Sequence, residues 1–471
     1  MNKWTRIIAV ALTALMLSTL AAGQAELVSQ ASAETPEQGI PESEMTEAEK
    51  EKAAREQAIQ EAYALPVQTN GLTDWPEGPG TYGDSAIVMD AGSGAILYAK
   101  NIDQREYPAS ITKVLTALLA FQYGNMESEV MITPEAMACL RPGYASIGVG
   151  AGQVISLEQA MYAMLLASAN EIAYAVGETV AAGQGQNYDW FISQMNETCR
   201  QLGGENSNFI NTNGMFDENH YTCARDMALI GRALFQYAMF FQICQTQEYV
   251  IPLSPTVEEH VFQQKHHMLL TGNKDYYEYA VAGKTGYTED AENTLITLAD
   301  NGERQLVCVI LKTYSGHTYP DTRALLDYGF SHFQKESVAE HDTERDYERI
   351  EDGAYVMLPE GASFEYLDRK VQLHEDGTDD ATVTYYYEDM PVGTCEVTVS
   401  ENYYNKEKKT EEEPEVKVKE KKEDPKKEKK SKSEKYKAAA AVGMSVILII
   451  CVVITAVVTH ISKVRNEKRR R

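Results

Sequence analysis

The spacing of apolar positions changes several times along this chain, and each change marks a segment. Ile7 to Ala22 is an apolar run behind Lys3 and Arg6, whereas 34–71 is acidic and alanine-rich (Glu42, Glu44, Glu47, Glu49, Glu51). That second stretch reads as a frayed helix or a disordered linker, so ordered structure is expected from about Trp75-Pro76. Ala86-Ile87-Val88-Met89-Asp90 and Ala95-Ile96-Leu97-Tyr98 flank Ala91-Gly92-Ser93-Gly94, two apolar runs around a Gly-rich turn, and predict a β-hairpin. Pro108 then opens a mixed apolar run. Proline suits a first helical turn because its φ is already helical and its missing N–H is not needed there.

Residues 120–200 read as helical, and Leu157 to Val180 as a buried helix pair, because small and apolar residues dominate it without a proline. Asn211-Thr212-Asn213-Gly214 is a turn, and Cys223 to Phe235 a further helix. Strand-like runs follow at Val281 to Thr288, Thr294 to Leu298 and Gln305 to Leu311, then an amphipathic helix from Asp321 to Phe330. Helices in the middle with strands from both ends predict an α+β fold, one antiparallel sheet flanked by helices. Between 337 and 401 the pattern becomes short alternating runs (Tyr355 to Leu358, Thr382 to Tyr385, Cys395 to Val399). Asp352-Gly353, Glu360-Gly361 and Asp376-Gly377 separate them, as in a small antiparallel β domain.

Charge and hydropathy extend this organisation to both ends. The net charge is −27, yet 402–437 is Lys/Glu-rich and the last nine residues are strongly basic, so the acidic excess sits in the remainder and argues against a nucleic-acid partner. Residues 1–33 have the form of a secretory signal. Residues 438–460 form a second apolar run, long enough to cross a bilayer, and 461–471 carry Lys463, Arg465, Lys468 and Arg469 to Arg471. The positive-inside bias puts that tail in the cytoplasm and everything before it outside. The expected order is signal peptide 1–33, acidic linker 34–71, catalytic domain 72–336, small β domain 337–401, stalk 402–437, transmembrane helix 438–460 and basic tail 461–471.

Seven cysteines without regular spacing do not make a disulfide framework; Cys451 falls in the apolar run, and Cys139, Cys223 and Cys308 sit in apolar text where free thiols are common. His266 and His267 are adjacent and point apart, His220 reads as a satisfied histidine, and no H-x-x-x-H, H-E-x-x-H or C-x-x-C spacing offers a metal site. No metal or cofactor is expected.

Ser110 and Lys113 are i and i+3, so they share a helix face. A serine hydroxyl is a weak nucleophile and needs a base; lysine can be that base once burial and the positive helix end depress its pKa. Ser168 and Asn170 interrupt an apolar run, where buried polar groups require partners. Lys284-Thr285-Gly286 lies on an expected strand. Each signal is weak alone, but S-x-x-K, S-x-N and K-T-G in this order are the set of β-lactamases and penicillin-binding proteins.

The stretch 75–335 resembles the low-molecular-weight penicillin-binding proteins, the serine-type D-alanyl-D-alanine carboxypeptidases. The likeness rests on Trp75-Pro76, Ala86 to Asp90, Pro108 to Lys113, Ser168-Ala169-Asn170, Asn219-His220-Tyr221, Gly283 to Thr288 and Asp327 to Phe330. The β domain is similar to the one that follows that family's catalytic domain. The resemblance implies Ser110 as nucleophile, Lys113 as its base, Ser168 as proton relay to the leaving amine, and Asn170 holding Lys113 and the substrate peptide. Lys284 and Thr285 would bind the terminal carboxylate, Gly286 would let the substrate strand approach, and the N–H groups of Ser110 and Tyr287 would form the oxyanion hole. The implied partners are a peptidoglycan stem peptide ending in D-Ala-D-Ala, β-lactam antibiotics as inhibitors, and the membrane. Glu171 stands where that family often has Asp, and Ala291-Glu292-Asn293 where Ala-Gly is usual. The spanning segment also departs from an amphipathic anchor. Two other readings stay open at this point: a β-lactamase, for which Glu205 is the one candidate to activate water, and a catalytically idle wall-binding module.

Overall fold

A computed structural model describes residues 46–342, 346–375 and 377–404. The expected signal peptide, spanning segment and basic tail, with Cys451 and all but the first residues of the stalk, lie outside the described residues. Among the described residues no single helix is long and apolar enough to cross a membrane. The chain divides into two units, one ending at Val399 and the other beginning at Ser400, and the strands and helices of the catalytic body all belong to the first.

Chain order begins with α1 (Glu47–Ala64), β1 (Ser85–Asp90) and β2 (Ile96–Lys100), then a 3₁₀ turn Ala109–Ile111 running into α2 (Thr112–Tyr123). Next come the ribbon β3 (Glu129–Met131) with β4 (Val154–Ser156) around α3 (Pro134–Ala138), and the helices α4 (Leu157–Tyr162), α5 (Asn170–Gly183), α6 (Tyr188–Gln201), α7 (Ala224–Leu234) and α8 (Ala238–Gln245). The hairpin β5 (Glu248–Ile251) and β6 (His260–Gln263) precedes β7 (Ala280–Thr288), β8 (Glu292–Asp300), β9 (Gln305–Thr313) and α9 (Thr318–Ser331). The last part holds β10 (Phe333–Ser337), α10 (Val338–His341), β11 (Tyr347–Ile350), β12 (Tyr355–Pro359), β13 (Asp368–Leu373), β14 (Asp380–Tyr387) and β15 (Met390–Val399).

The main sheet has the order β2-β1-β9-β8-β7, antiparallel throughout, so the expected α+β layering is what forms. Neighbouring residues of a strand point to opposite faces. A Cβ on Gly231 of α7 would touch Val307 of β9 and Ile296 of β8, whereas one on Gly329 of α9 would touch Leu306 of β9 and Val88 of β1. The two helices therefore cover opposite faces, each using a glycine to sit close to the sheet. Apolar residues such as Ile87 with Val309 and Ile296 with Val309 pair across the strands, whose runs are apolar on both faces because both faces are covered.

Two expectations need correction. Residues 124–156 are not helical beyond α3: Pro134, Pro142 and Gly143, Gly148, Gly150 and Gly152 break the pattern, and three of those glycines adopt positive φ. The acidic segment is ordered from Thr46, not from Trp75. Thr46 and Glu49 form a capping box, Lys50–Glu47 and Lys52–Glu56 pair along the helix, and Lys100 Nζ donates to the Ala62 carbonyl at 2.7 Å at its end. That helix has no apolar stripe, so periodicity could not find it. The C-terminal strands make hydrogen bonds to the catalytic body. The order β11-β15-β14-β13 and the pair β10-β12 form as antiparallel sheets, and the Tyr355 hydroxyl donates to Asp90 Oδ1 at 2.8 Å and Thr394 N–H to the Ser93 carbonyl at 2.8 Å. Trp75 packs on Phe333 and Tyr387 across the same seam. Cys139, Cys199, Cys223, Cys244, Cys308 and Cys395 are free thiols, as expected.

Candidate active site

Ser110 sits in the 3₁₀ turn and Lys113 one residue into α2, so the expected shared face is present. The turn is held from three sides. Thr294 Oγ1 of β8 donates to the Pro108 carbonyl at 2.8 Å, Thr112 Oγ1 donates to the Ala109 carbonyl at 2.9 Å, and Gly214 abuts the Ala109 backbone. Ala109 is left-handed, with φ +47°, a strained conformation kept only where surroundings over-determine it.

Lys113 is fully buried, and its Nζ lies 2.9 Å from Ser110 Oγ, 2.8 Å from Asn170 Oδ1 and 2.6 Å from the Asn213 carbonyl oxygen. An ammonium would use its three donors on these three acceptors. A neutral amine would give its two hydrogens to Asn170 and Asn213 and turn its lone pair to the Ser110 O–H. Burial chiefly, and then the nearby Lys284, hold the Lys113 pKa well below its ordinary value, which favours the second arrangement over the first. Lys284 is itself buried on β7, with a pKa pushed down by burial to about 7, and its Nζ donates to the Thr285 carbonyl at 2.8 Å.

Ser168 closes a π-helical turn, Ala163–Ala167, that ends α4, and takes a left-handed φ of +66°. That break lets two consecutive helices change direction and brings Ser168 and Asn170 to the Ser110 side. Both line an open cleft of about 910 Å³ with Ser110, Tyr144, Lys265, Thr285, Gly286 and Tyr287. A Cβ on Gly286 would lie 2.9 Å from Ser110 N and would also collide with Thr294 Oγ1. The glycine therefore makes room for the protein's own Ser110 turn, and it also lines the cleft. It also sets the Ser110 N–H beside the edge that carries Tyr287.

The structure adds residues the motifs did not single out. Asn213 acts through a backbone carbonyl, which leaves no residue-type signal. Glu171 is buried; its Oε1 accepts from Ser146 Oγ at 2.7 Å and from Ile147 N–H at 2.9 Å, anchoring the loop whose Pro142, Gly143, Tyr144 and Ala145 wall the cleft. Lys265 Nζ donates to the Ala167 carbonyl at 2.7 Å, beside the strained Ser168. His220 is a satisfied histidine: its Nδ1 accepts from Ile210 N–H at 3.1 Å, so the proton lies on Nε2, which donates to Thr112 Oγ1 at 2.9 Å. Burial lowers its pKa to about 3. Glu205 lies in a turn against Asp226 and does not line the cleft.

Residues 75–315, just over half of the chain, match the family described as D-alanyl-D-alanine carboxypeptidase. Among curated proteins, the chain is 27% identical over 263 residues to the D-alanyl-D-alanine carboxypeptidase DacF of Bacillus subtilis, covering 53% of this chain and 62% of that one. It is 28% identical over 289 residues to DacA of Haemophilus influenzae, covering 60% and 70%. Among solved structures, the Streptomyces K15 DD-transpeptidase superposes with a TM-score of 0.49 at 22% identity, over 54% of this chain and 100% of that one.

Proposed function

The chain belongs to the D-alanyl-D-alanine carboxypeptidase family, and we propose that it removes the terminal D-alanine from peptidoglycan stem peptides through an acyl-enzyme on Ser110. The observation that carries this is the 2.9 Å contact between Ser110 Oγ and a buried lysine amine whose other two neighbours are acceptors.

In this mechanism Ser110 Oγ attacks the carbonyl carbon between the two D-alanines while its proton passes to the Lys113 lone pair. The developing oxyanion is met by the N–H groups of Ser110 and Tyr287; such donors are typically worth about 10²–10³ in rate each. The Lys113 ammonium hands its extra proton to Ser168 while the Ser168 hydroxyl gives its own proton to the departing nitrogen; the C–N bond breaks, D-alanine leaves and Lys113 is neutral again. Water then gives a proton back to Lys113 and attacks the ester; Ser110 regains its hydrogen and the shortened peptide is released. Asn170 holds both Lys113 and the peptide, and Lys284 and Thr285 meet the terminal carboxylate, Lys284 as a buried positive charge behind the strand. A penicillin enters the same attack through its ring amide, but its leaving nitrogen stays tethered, so the ester persists. The catalytic part acts outside the cell, exported by 1–33 and held by 438–460, a reading supported by the order of apolar and basic segments.

The test uses the full chain, wild type and Ser110→Ala, with a peptide ending in D-Ala-D-Ala and separately with a labelled penicillin. D-alanine release and a long-lived penicillin adduct, both lost in Ser110→Ala, are the expected result. Rapid penicillin turnover without an adduct, or neither signal from folded protein, overturns the assignment.

A further inference from the structure

Glu292, at the start of β8, has φ +49°, a conformation that side-chain-bearing residues rarely adopt. Its carboxylate, mostly shielded from solvent, meets Arg55 Nη2 of α1 at 2.9 Å. The Arg55 guanidinium also lies 5.6 Å from the ring centre of buried Tyr314, at the end of β9. The far end of the same helix is fixed as well. Lys100 Nζ donates to the Ala62 carbonyl, and Tyr63 packs on Tyr82, whose ring lies 3.8 Å from that of His317. These contacts reach both loops on one side of the cleft. Thr288, Glu289 and Asp290 of the β7–β8 turn line it, and so do Ser315, Gly316 and Thr318 around His317.

We propose that α1 is a brace for the substrate-holding edge of the cleft, with Arg55 and Glu292 as positioning residues for the β7–β8 turn that follows Lys284-Thr285-Gly286-Tyr287. The proposal rests on the carboxypeptidase reading of the cleft. A β-hairpin at a sheet edge, turning beside an open cleft, is free to swing unless something outside the sheet holds its tip. A salt bridge from a helix that itself lines none of the cleft is such a hold, and it grips the hairpin at Glu292, the left-handed residue that closes its turn. The expected consequence comes from population arithmetic. If the binding-competent edge is populated only part of the time, the apparent affinity falls by that fraction while the bound complex is unaltered. Loss of the brace should therefore raise KM and leave kcat nearly unchanged. The pair is partly solvated, so the effect is modest, about fivefold, and sensitive to salt.

The experiment compares full-length wild type, Arg55→Ala, Glu292→Gly and the charge-swapped double variant Arg55→Glu/Glu292→Arg on a peptide ending in D-Ala-D-Ala. Glycine suits φ +49°, so Glu292→Gly should keep or raise the thermal midpoint while still losing the tether. The expected result is KM raised about fivefold in both single variants, kcat within about twofold of wild type, and recovery in the double variant. Raising salt from about 0.05 to 0.5 M should bring wild-type KM towards that of Arg55→Ala, whose own KM stays flat. Unchanged KM in both single variants, a loss confined to kcat, or no recovery in the charge swap overturns the proposal. A wild type that neither releases D-alanine nor takes up labelled penicillin overturns instead the carboxypeptidase reading beneath it.

Discussion

Gly214 lies directly against the backbone of Ala109: any β-carbon at position 214 would overlap the Ala109 carbonyl and come within 2.9 Å of Thr112 Oγ1. The turn that gives its Asn213 carbonyl to Lys113 is thereby packed against the turn that carries Ser110. One contact between two pieces of backbone therefore bears on both nucleophile and base.

Gly214→Ala should accordingly damage chemistry more than folding. Its φ of +81° disfavours alanine, and the new methyl group must push the Ser110 turn aside. Misplacement of reacting groups by about 1 Å can cost about 10²-fold in rate. The penicillin acylation rate of the variant should fall by about that factor with its circular dichroism spectrum retained. A variant that acylates at the wild-type rate would falsify the packing argument.

Replacing Lys284 should move the pH profile of acylation in a defined direction. Burial is the main cause of the lowered Lys113 pKa, and the Lys284 charge adds to it. Removing that charge stabilises the Lys113 ammonium, raises its pKa and makes the base available only at higher pH. Lys284→Gln should therefore shift the acid limb of the acylation rate upward, apart from any loss of amplitude from weaker carboxylate binding. An acid limb that stays in place would show that Lys284 does not act on Lys113.

Glu106 offers a stability test away from the cleft. It is buried, Gln104 Nε2 donates to it at 2.6 Å, and burial raises its pKa to about 7. The folded state thus holds this proton more tightly than the unfolded chain, so the stabilising share is present below the unfolded pKa and is lost as pH rises towards 7. Glu106→Gln, which keeps a neutral side chain at every pH, should gain on wild type over pH 4.5 to 7, by on the order of 2–3 kcal/mol at the upper end. Denaturant midpoints measured across that window check it; a constant difference between the two proteins contradicts the burial account.

Much of the site was legible because its first piece is local. Ser110 and Lys113 are three residues apart, and their shared face follows from helical geometry alone. Ser168 and Asn170 were visible as polar intruders in an apolar run, and the K-T-G stretch lay within a recognisable strand. The hairpin, the sheet and the closing helix were also readable, because alternation and the 3.6-residue period are strong where elements are long and one face is buried. Elements without periodicity were less readable: α1 has no apolar stripe, so helix and disordered linker stayed equally open, and 124–156 mixes short pieces with glycine turns. The close fit of Gly286 against the Ser110 turn was not readable, because what lies above a strand is not written in that strand.

The sequence by itself determined which chemistry was available, since residue type sets the nucleophile, the amine and the buried polar partners, and their order along the chain matches the family's. It also determined the α+β layering through the spacing of apolar residues. The tertiary structure alone decided that the Lys113 amine sits against Ser110 with its pKa held well below the ordinary value. That required burial to depress its pKa, a carbonyl from Asn213 one hundred residues away and an amide from Asn170 fifty-seven residues away to take its hydrogens, and Lys284 nearby to disfavour a second ammonium. Burial and long-range contacts are properties of the packed molecule, and no local pattern encodes them.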